Sequence, residues 1–284
     1  MTPGIARLTL MDMARDSNDE GGDAFPRAPT QEEWDRMSAE ERAEVVESLP
    51  SEISWEQWAQ VAALPEGDLH THACREASLA LGDYFTRART RVYVGSNLGI
   101  YYPGEHVFSP DVLVVKDVEG HLRQRWVVST EGKGLDWVLE VHAGGDRKKD
   151  TVRNIELYAR LRIPEYFIYD RGRQRLDGFR LASSQATSYQ PIEPHNGRYD
   201  SVMLGLTLEI VEGHLRFWAD GEMLPHHEEL VSRLDVETRR REDAEQRLQE
   251  ESRRREEESR RREDAERRLA ALQAVLKGLK EGRG

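Results

Sequence analysis

From residue 92 to residue 169 the chain carries short apolar runs rather than a helical repeat. Val92-Tyr93-Val94, Leu98-Gly99-Ile100-Tyr101-Tyr102, Val112 to Val115, Trp126-Val127-Val128, Trp137 to His142 and Tyr166 to Tyr169 are rich in β-branched and aromatic residues, and each has the length of a strand. Runs that do not alternate with polar residues suit strands covered on both faces, as in a parallel or mixed sheet. Helical spacing precedes them and separates the last two. Cys74 to Arg87, with Leu79, Leu81 and Tyr84, predicts one helix, and Asp146 to Leu161 predicts another, in which Val152, Ile155 and Ala159 fall at i, i+3 and i+7 as one buried stripe. A β-rich tail follows from Tyr189 to Trp218, through Leu204-Gly205-Leu206 and Leu208 to Val211. Helix, several strands, helix, strand is the order of an α/β fold with a central mixed sheet flanked by helices.

Two appendages border this core. Thr30 with Glu33 and Ser38 with Glu41 each form a capping box, so two short helices are expected after residue 29, and Trp34, Val45, Val46, Leu49, Trp55, Trp58 and Val61 can form a small helical layer against the main domain. No chemistry is assigned to that layer. At the other end Arg241-Glu242-Asp243-Ala244-Glu245-Gln246-Arg247-Leu248 recurs as Arg262 to Leu269, an offset of 21 residues or three heptads. One register of alternating steps of four and three passes through Leu230, Leu234, Ala244, Leu248, Ala265, Leu269, Leu272, Leu276 and Leu279, with Glu251, Arg255, Glu258 and Arg262 in its middle. A long helix follows, supported by i, i+4 Glu and Arg pairs, with coiled-coil character at its leucine-rich end. That end suits a homodimer or a protein partner; an isolated charged helix is the plain alternative. The expected organisation is 1–28 as a disordered acidic tail, 29–67 as a small helical segment, 68–224 as the core domain and 225–284 as the long helix.

Composition narrows the setting. The 284 residues are 38% hydrophobic and 33% charged, no run approaches the roughly 18 apolar residues of a membrane span, and the N-terminus lacks the apolar centre of a secretory signal. A cytoplasmic location is expected. The lone Cys74 excludes an intrachain disulfide and a cysteine-pair zinc site, and reads as a packed small hydrophobe. The net charge of -12 is uneven: residues 1–67 hold 15 acidic and 5 basic side chains, residues 68–224 hold 22 and 20, and residues 225–284 hold 16 and 16. A near-neutral core leaves room for a local basic surface but gives no support to strong non-specific DNA binding, and the balanced tail is not a basic nucleic-acid arm.

Two carboxylates carry the candidate chemistry. Asp111 opens the run Val112 to Val115, and Glu140 stands inside Trp137-Val138-Leu139-Glu140-Val141-His142. An ionised carboxylate in an apolar setting requires a cation, hydrogen bonds or a metal, and two that converge form an oxygen set for Mg²⁺. The plain alternative is a strand-end Asp and an edge-strand Glu in a salt bridge.

Pro110-Asp111, then Glu140-Val141-His142, then Asp150 and Tyr158, then Ile163-Pro164-Glu165-Tyr166-Phe167-Ile168-Tyr169-Asp170 together resemble the Uma-type restriction endonuclease family of the PD-(D/E)XK, restriction-endonuclease-like superfamily, over roughly residues 68 to 215. The resemblance implies a restriction-endonuclease-like core and Mg²⁺- or Mn²⁺-dependent hydrolysis of DNA phosphodiester bonds. It assigns Asp111 and Glu140 as metal ligands, with the Val141 carbonyl as a third. The superfamily lysine belongs two residues after the acid, where this chain has His142; Uma-type chains supply it fourteen residues after the Glu, where this chain has Asn154. Lys148 and Lys149 stand a few residues earlier, and Lys148, four before Val152 in the predicted stripe, is favoured as the migrated cation, with solvated loop lysines as the alternative. Asp150 then orients that lysine or caps helix N–H groups.

The remaining candidates are weaker. His70 and His72 offer two imidazoles without a third ligand by spacing, and a family resemblance places a histidine of this segment in the cleft. Glu76 matches the acidic residue that superfamily nucleases place near the metal on the first core helix. Gly144 to Lys149 is Gly-rich and basic but lacks the spacing of a phosphate loop. Tyr158, Tyr166 and Phe167 read as packing residues. Two functional classes result: a metal-dependent endodeoxyribonuclease, or a catalytically decayed nuclease-fold scaffold acting through its C-terminal coiled coil, the latter favoured by His142, Asn154 and the acidic balance.

Overall fold

The computed structural model describes residues 26–50, 67–142 and 149–281, with backbone alone at 149–151 and 274–281. The chain divides into two compact units, Met1–His227 and Glu228–Gly284.

The first unit begins with α1 (Gln31–Arg36) and α2 (Ala39–Ser48), each opened by the expected capping box, Thr30 with Glu33 and Ser38 with Glu41. Leu49 and Val46 pack with Tyr101, Val107 and Val127, so this layer covers a two-stranded parallel pair, β2 (Gly99–Tyr101) and β4 (Arg125–Val127). Arg125 ties the layer down by donating to the carbonyls of Val46 and Leu49. Trp55, Trp58 and Val61 lie outside the described residues.

The long helix α3 (Asp68–Arg87) starts two turns before the expected position and turns Ala73, Cys74, Ala77, Leu81 and Phe85 inward. A six-stranded sheet follows, in the order β1 (Val92–Gly95), β3 (Val112–Lys116), β5 (Trp137–His142), β6 (Glu165–Asp170), β7 (Arg175–Leu181), β8 (Tyr189–Pro191). Its β5–β6 pair is parallel and every other pair antiparallel, so the sheet is mixed. The chain crosses from β5 to β6 through a π-helical segment, Lys149–Asn154, that runs into α5 (Ile155–Arg160), after the single-turn α4 (Val128–Glu131) earlier in the chain.

Alternation along β3 and β5 splits the core. Val112, Val114, Trp137, Leu139 and Val141 face α3, while Leu113, Val115 and Val138 face Tyr158, Tyr166 and Ile168. Burial on both faces accounts for the unbroken apolar runs. On the α3 side the core is completed by a second sheet, β9 (Tyr199–Ser201), β10 (Leu206–Val211), β11 (His214–Ala219) and β12 (Glu222–Met223), whose Leu206, Leu208, Leu215 and Phe217 join the same cluster. The expected fold class, a central mixed sheet flanked by helices with a long C-terminal helix, describes this architecture.

Three expectations need correction. Glu140 is on an interior strand, since β5 pairs with β3 on one side and β6 on the other, so the edge-strand alternative fails. Val152 is 55% exposed and Asn154 is buried, because the π-helical winding before α5 shifts the helical phase and carries Val152 off the inner face. Strand β7, a full member of the main sheet, falls in a stretch where no strand was expected.

The second unit consists of α6 (His227–Glu281) from Glu228 onward, one unbroken helix. Arg255 pairs with Glu251 and Arg262 with Glu258, each at 2.6 Å. Leu234, Leu248, Leu269 and Leu272 of the heptad register are each more than half exposed. Among the described residues no helix is long and apolar enough to cross a membrane.

Candidate active site

The β3–β5 ladder pairs Val112 with Leu139 and Leu113 with Val138; Asp111 stands just before β3, and Glu140 follows Leu139 on β5. Both carboxylates are buried, each 8% exposed. Burial of this kind is tolerated only with hydrogen-bonding partners, and each acid has them.

Asp111 Oδ2 accepts the Val141 backbone N–H at 2.7 Å, which ties it to the residue after Glu140. The same oxygen lies 3.0 Å from Nε2 of buried His70, on the first turn of α3. His70 in turn stands 3.5 Å from Cys74 Sγ, one helical turn on. Glu140 Oε1 accepts the Tyr158 hydroxyl at 2.6 Å and the Asn154 amide at 3.4 Å, both from the crossover segment. The Tyr158 phenol is held far above its ordinary pKa, first by burial and then by the negative charge of Glu140, so it stays a proton donor to that carboxylate.

Asp111, Glu140 and Val141 therefore meet at one end of β3 and β5. His142 lies on the same strand two residues after Glu140, buried, with Asp170 beside it across the β5–β6 ladder. Lys148 and the rest of the Gly144–Lys148 run lie outside the described residues, as do the side chains of Lys149 and Asp150. The argument that aligned Lys148 with a buried Val152 lapses with that residue's exposure. Asn154 reaches Glu140 at 3.4 Å, so the position fourteen residues after the acid touches it here. Glu76 has histidines as carboxylate partners, His72 at 3.2 Å, His214 at 3.1 Å and His226 at 3.5 Å. Sequence reading missed Tyr158 as a site residue; its only signal was its membership of the motif set.

Comparison with known proteins supplies the deciding observation: the Uma2 family, described as "Putative restriction endonuclease", matches residues 51–215, more than half of the chain. The chain belongs to the Uma2 family. A solved structure from Anabaena variabilis ATCC 29413, described as a "putative nuclease belonging to DUF820", is similar over 50% of this chain and 76% of its own, with a TM-score of 0.39 and 15% identity. No curated protein matches. The Uma2 match contains Asp111, Glu140, Asn154 and Tyr158, and ends before His226 and the whole of α6.

The donor set suits a hard divalent cation. Two carboxylates and a backbone carbonyl are oxygen ligands, and Mg²⁺ commonly takes one or two carboxylates and keeps several waters. Both protein donors to Asp111 go to Oδ2, and among the described residues Oδ1 takes none, which leaves that oxygen for a ligand.

Proposed function

We propose that this Uma2 chain is a metal-dependent endonuclease that hydrolyses DNA phosphodiester bonds, with Asp111, Glu140 and the Val141 carbonyl holding Mg²⁺ or Mn²⁺. The observation that supports the reading is a pair of buried carboxylates, Asp111 just before β3 and Glu140 on β5, each held by its own protein donors. A cation bound there would neutralise charge on the phosphate oxygens and acidify a water. The chain's residues do the rest. His70 and the Val141 N–H orient Asp111; Tyr158 and Asn154 orient Glu140; His142 lies beside Glu140 as a hydrogen-bond donor; and Lys148 supplies the ammonium that positions the attacking water.

A homodimer is part of this proposal: the exposed heptad leucines of α6 offer a face that two copies can bury together, and paired subunits suit the cutting of two strands. One observation favours the second reading, a decayed scaffold: at the position where Uma-type chains carry lysine, Glu140 meets the neutral amide of Asn154. Supercoiled plasmid incubated with protein and Mg²⁺ or Mn²⁺ tests the choice. Nicking that EDTA abolishes and Lys148→Ala strongly reduces supports the nuclease; a folded protein that nicks in neither metal supports the scaffold.

A further inference from the structure

A second cluster of ligating side chains lies on another face of α3. His72 and Glu76 are one turn apart on that helix, His214 opens β11, and His226 precedes α6. Glu76 stands two residues beyond Cys74, about 200° around the helix from the Cys74 and His70 face that serves Asp111. The clusters are separate.

Three imidazole nitrogens approach the Glu76 carboxylate. His214 Nδ1 and His72 Nδ1 lie 3.1 and 3.2 Å from Glu76 Oε2, and His226 Nδ1 lies 3.5 Å from Oε1. Ligand atoms of Glu76, His214 and His226 are all within 4.8 Å of one another. Zinc bonds to nitrogen and oxygen of about 2.0–2.1 Å give a tetrahedron with edges of about 3.3 Å, close to the three contacts. Hydrogen bonding accounts for only part of this. His214 Nδ1 has hydrogen-bond geometry toward Glu76, whereas His72 Nδ1 is buried and makes no hydrogen bond among the described residues despite its 3.2 Å approach.

We infer that Glu76, His214 and His226 form a binding site for a borderline divalent transition metal of the zinc class. Imidazole nitrogen with one carboxylate is a donor set for zinc rather than for magnesium. Burial raises the Glu76 carboxyl, but the hydrogen bond from His214 and the three neighbouring imidazoles outweigh it, so the group sits below its ordinary range.

The site would act as a clip. The Tyr169 hydroxyl donates to Gly213 O at 2.5 Å beside His214, and His227 Nδ1 lies 2.8 Å from Asp83, two turns after Glu76 on α3. A metal at Glu76 would add a third tie to this group and fix the His226 segment against the helix. His226 lies beyond the residues that the Uma2 family matches, so the site draws on a part of this chain outside that match.

Titration of metal-stripped full-length protein with Co²⁺, carried out in a Glu140→Ala background to silence the carboxylate site, tests the inference. The expected result is one equivalent bound, with the intense visible bands of tetrahedral cobalt, displaced by Zn²⁺. Zinc at 100-fold excess over its Kd should raise the Tm by roughly 5–10 °C. His226→Ala and Glu76→Gln should each weaken binding by at least about tenfold, while the metal-free Tm of His226→Ala stays near that of its parent. No bound cobalt, a pale octahedral spectrum, or binding that neither substitution changes would overturn it.

Discussion

The Tyr158 hydroxyl donates to Glu140 Oε1 at 2.6 Å, across 18 residues of sequence and from the segment that connects β5 to β6. The candidate site thus depends on the crossover for the orientation of one of its acids. Tyr158→Phe removes only that donor and keeps the ring packed against Tyr166 and Phe108. The expected outcome is a loss of about 10–100-fold in cleavage or in Mg²⁺ affinity, with the fold retained. Nicking rates measured across a Mg²⁺ series check it.

Asn154 lies close enough to Glu140 for a longer cationic side chain at that position to reach the site. Lys148→Ala is expected to reduce cleavage by about 100-fold or more, as loss of a charge-stabilising group does elsewhere. Adding Asn154→Lys to that variant is expected to restore part of the rate. Single-turnover cleavage by the parent and both variants decides it.

How much of this was legible depended on sequence distance. Asp111 and Glu140 could be singled out because one opens and the other interrupts an apolar strand run, and both are buried in the fold. Tyr158 was read as packing because its ring does pack; only the three-dimensional course of the crossover reveals its hydroxyl partner. The phase shift that exposes Val152 comes from a π-helical turn, which no apolar spacing announces. Strand β7 was invisible for another reason. Its inner face includes Gly178, where a Cβ would come within 2.7 Å of the Phe167 ring, so the close approach of the strands replaces the apolar side chain that would have marked it. His72 and Glu76 are neighbours in sequence, but His214 is 138 residues from Glu76, beyond any local motif.

Glu165 is fully buried at the start of β6 and is held by Arg180 at 2.7 Å, by the Val202 N–H at 2.9 Å and by the Ser201 hydroxyl. Arg180→Ala leaves a buried carboxylate short of its cation. A loss of about 1–3 kcal/mol is expected, which thermal denaturation reads as a fall in Tm.

Alkaline pH should weaken the fold. Burial raises the phenol of Tyr101 from 10.0 to about 12, against an opposing effect of Arg125, and burial raises those of Tyr102, Tyr158 and Tyr189 further. A group whose folded pKa is raised contributes stability that is complete below its unfolded pKa and lost as pH climbs through the folded one. Tyr101 therefore contributes fully below pH 10, and its contribution is lost between pH 10 and about 12. Melting temperatures should hold steady to about pH 10 and fall beyond it, with tyrosinate absorbance appearing together with unfolding.

The exposed heptad leucines predict self-association. Leu269→Glu with Leu272→Glu places charge on the seam of α6. Light scattering after size exclusion is expected to give a dimer mass for the parent chain and a monomer mass for the double variant.

The most direct test of the carboxylate site is the nicking of supercoiled plasmid in Mg²⁺ or Mn²⁺ by the parent chain beside Glu140→Ala, with the folded state of each verified by its circular dichroism. The account predicts metal-dependent nicking by the parent that falls to background in the variant and in EDTA. A folded parent that leaves the plasmid intact in both metals, or a Glu140→Ala variant that nicks as fast as the parent, would contradict it.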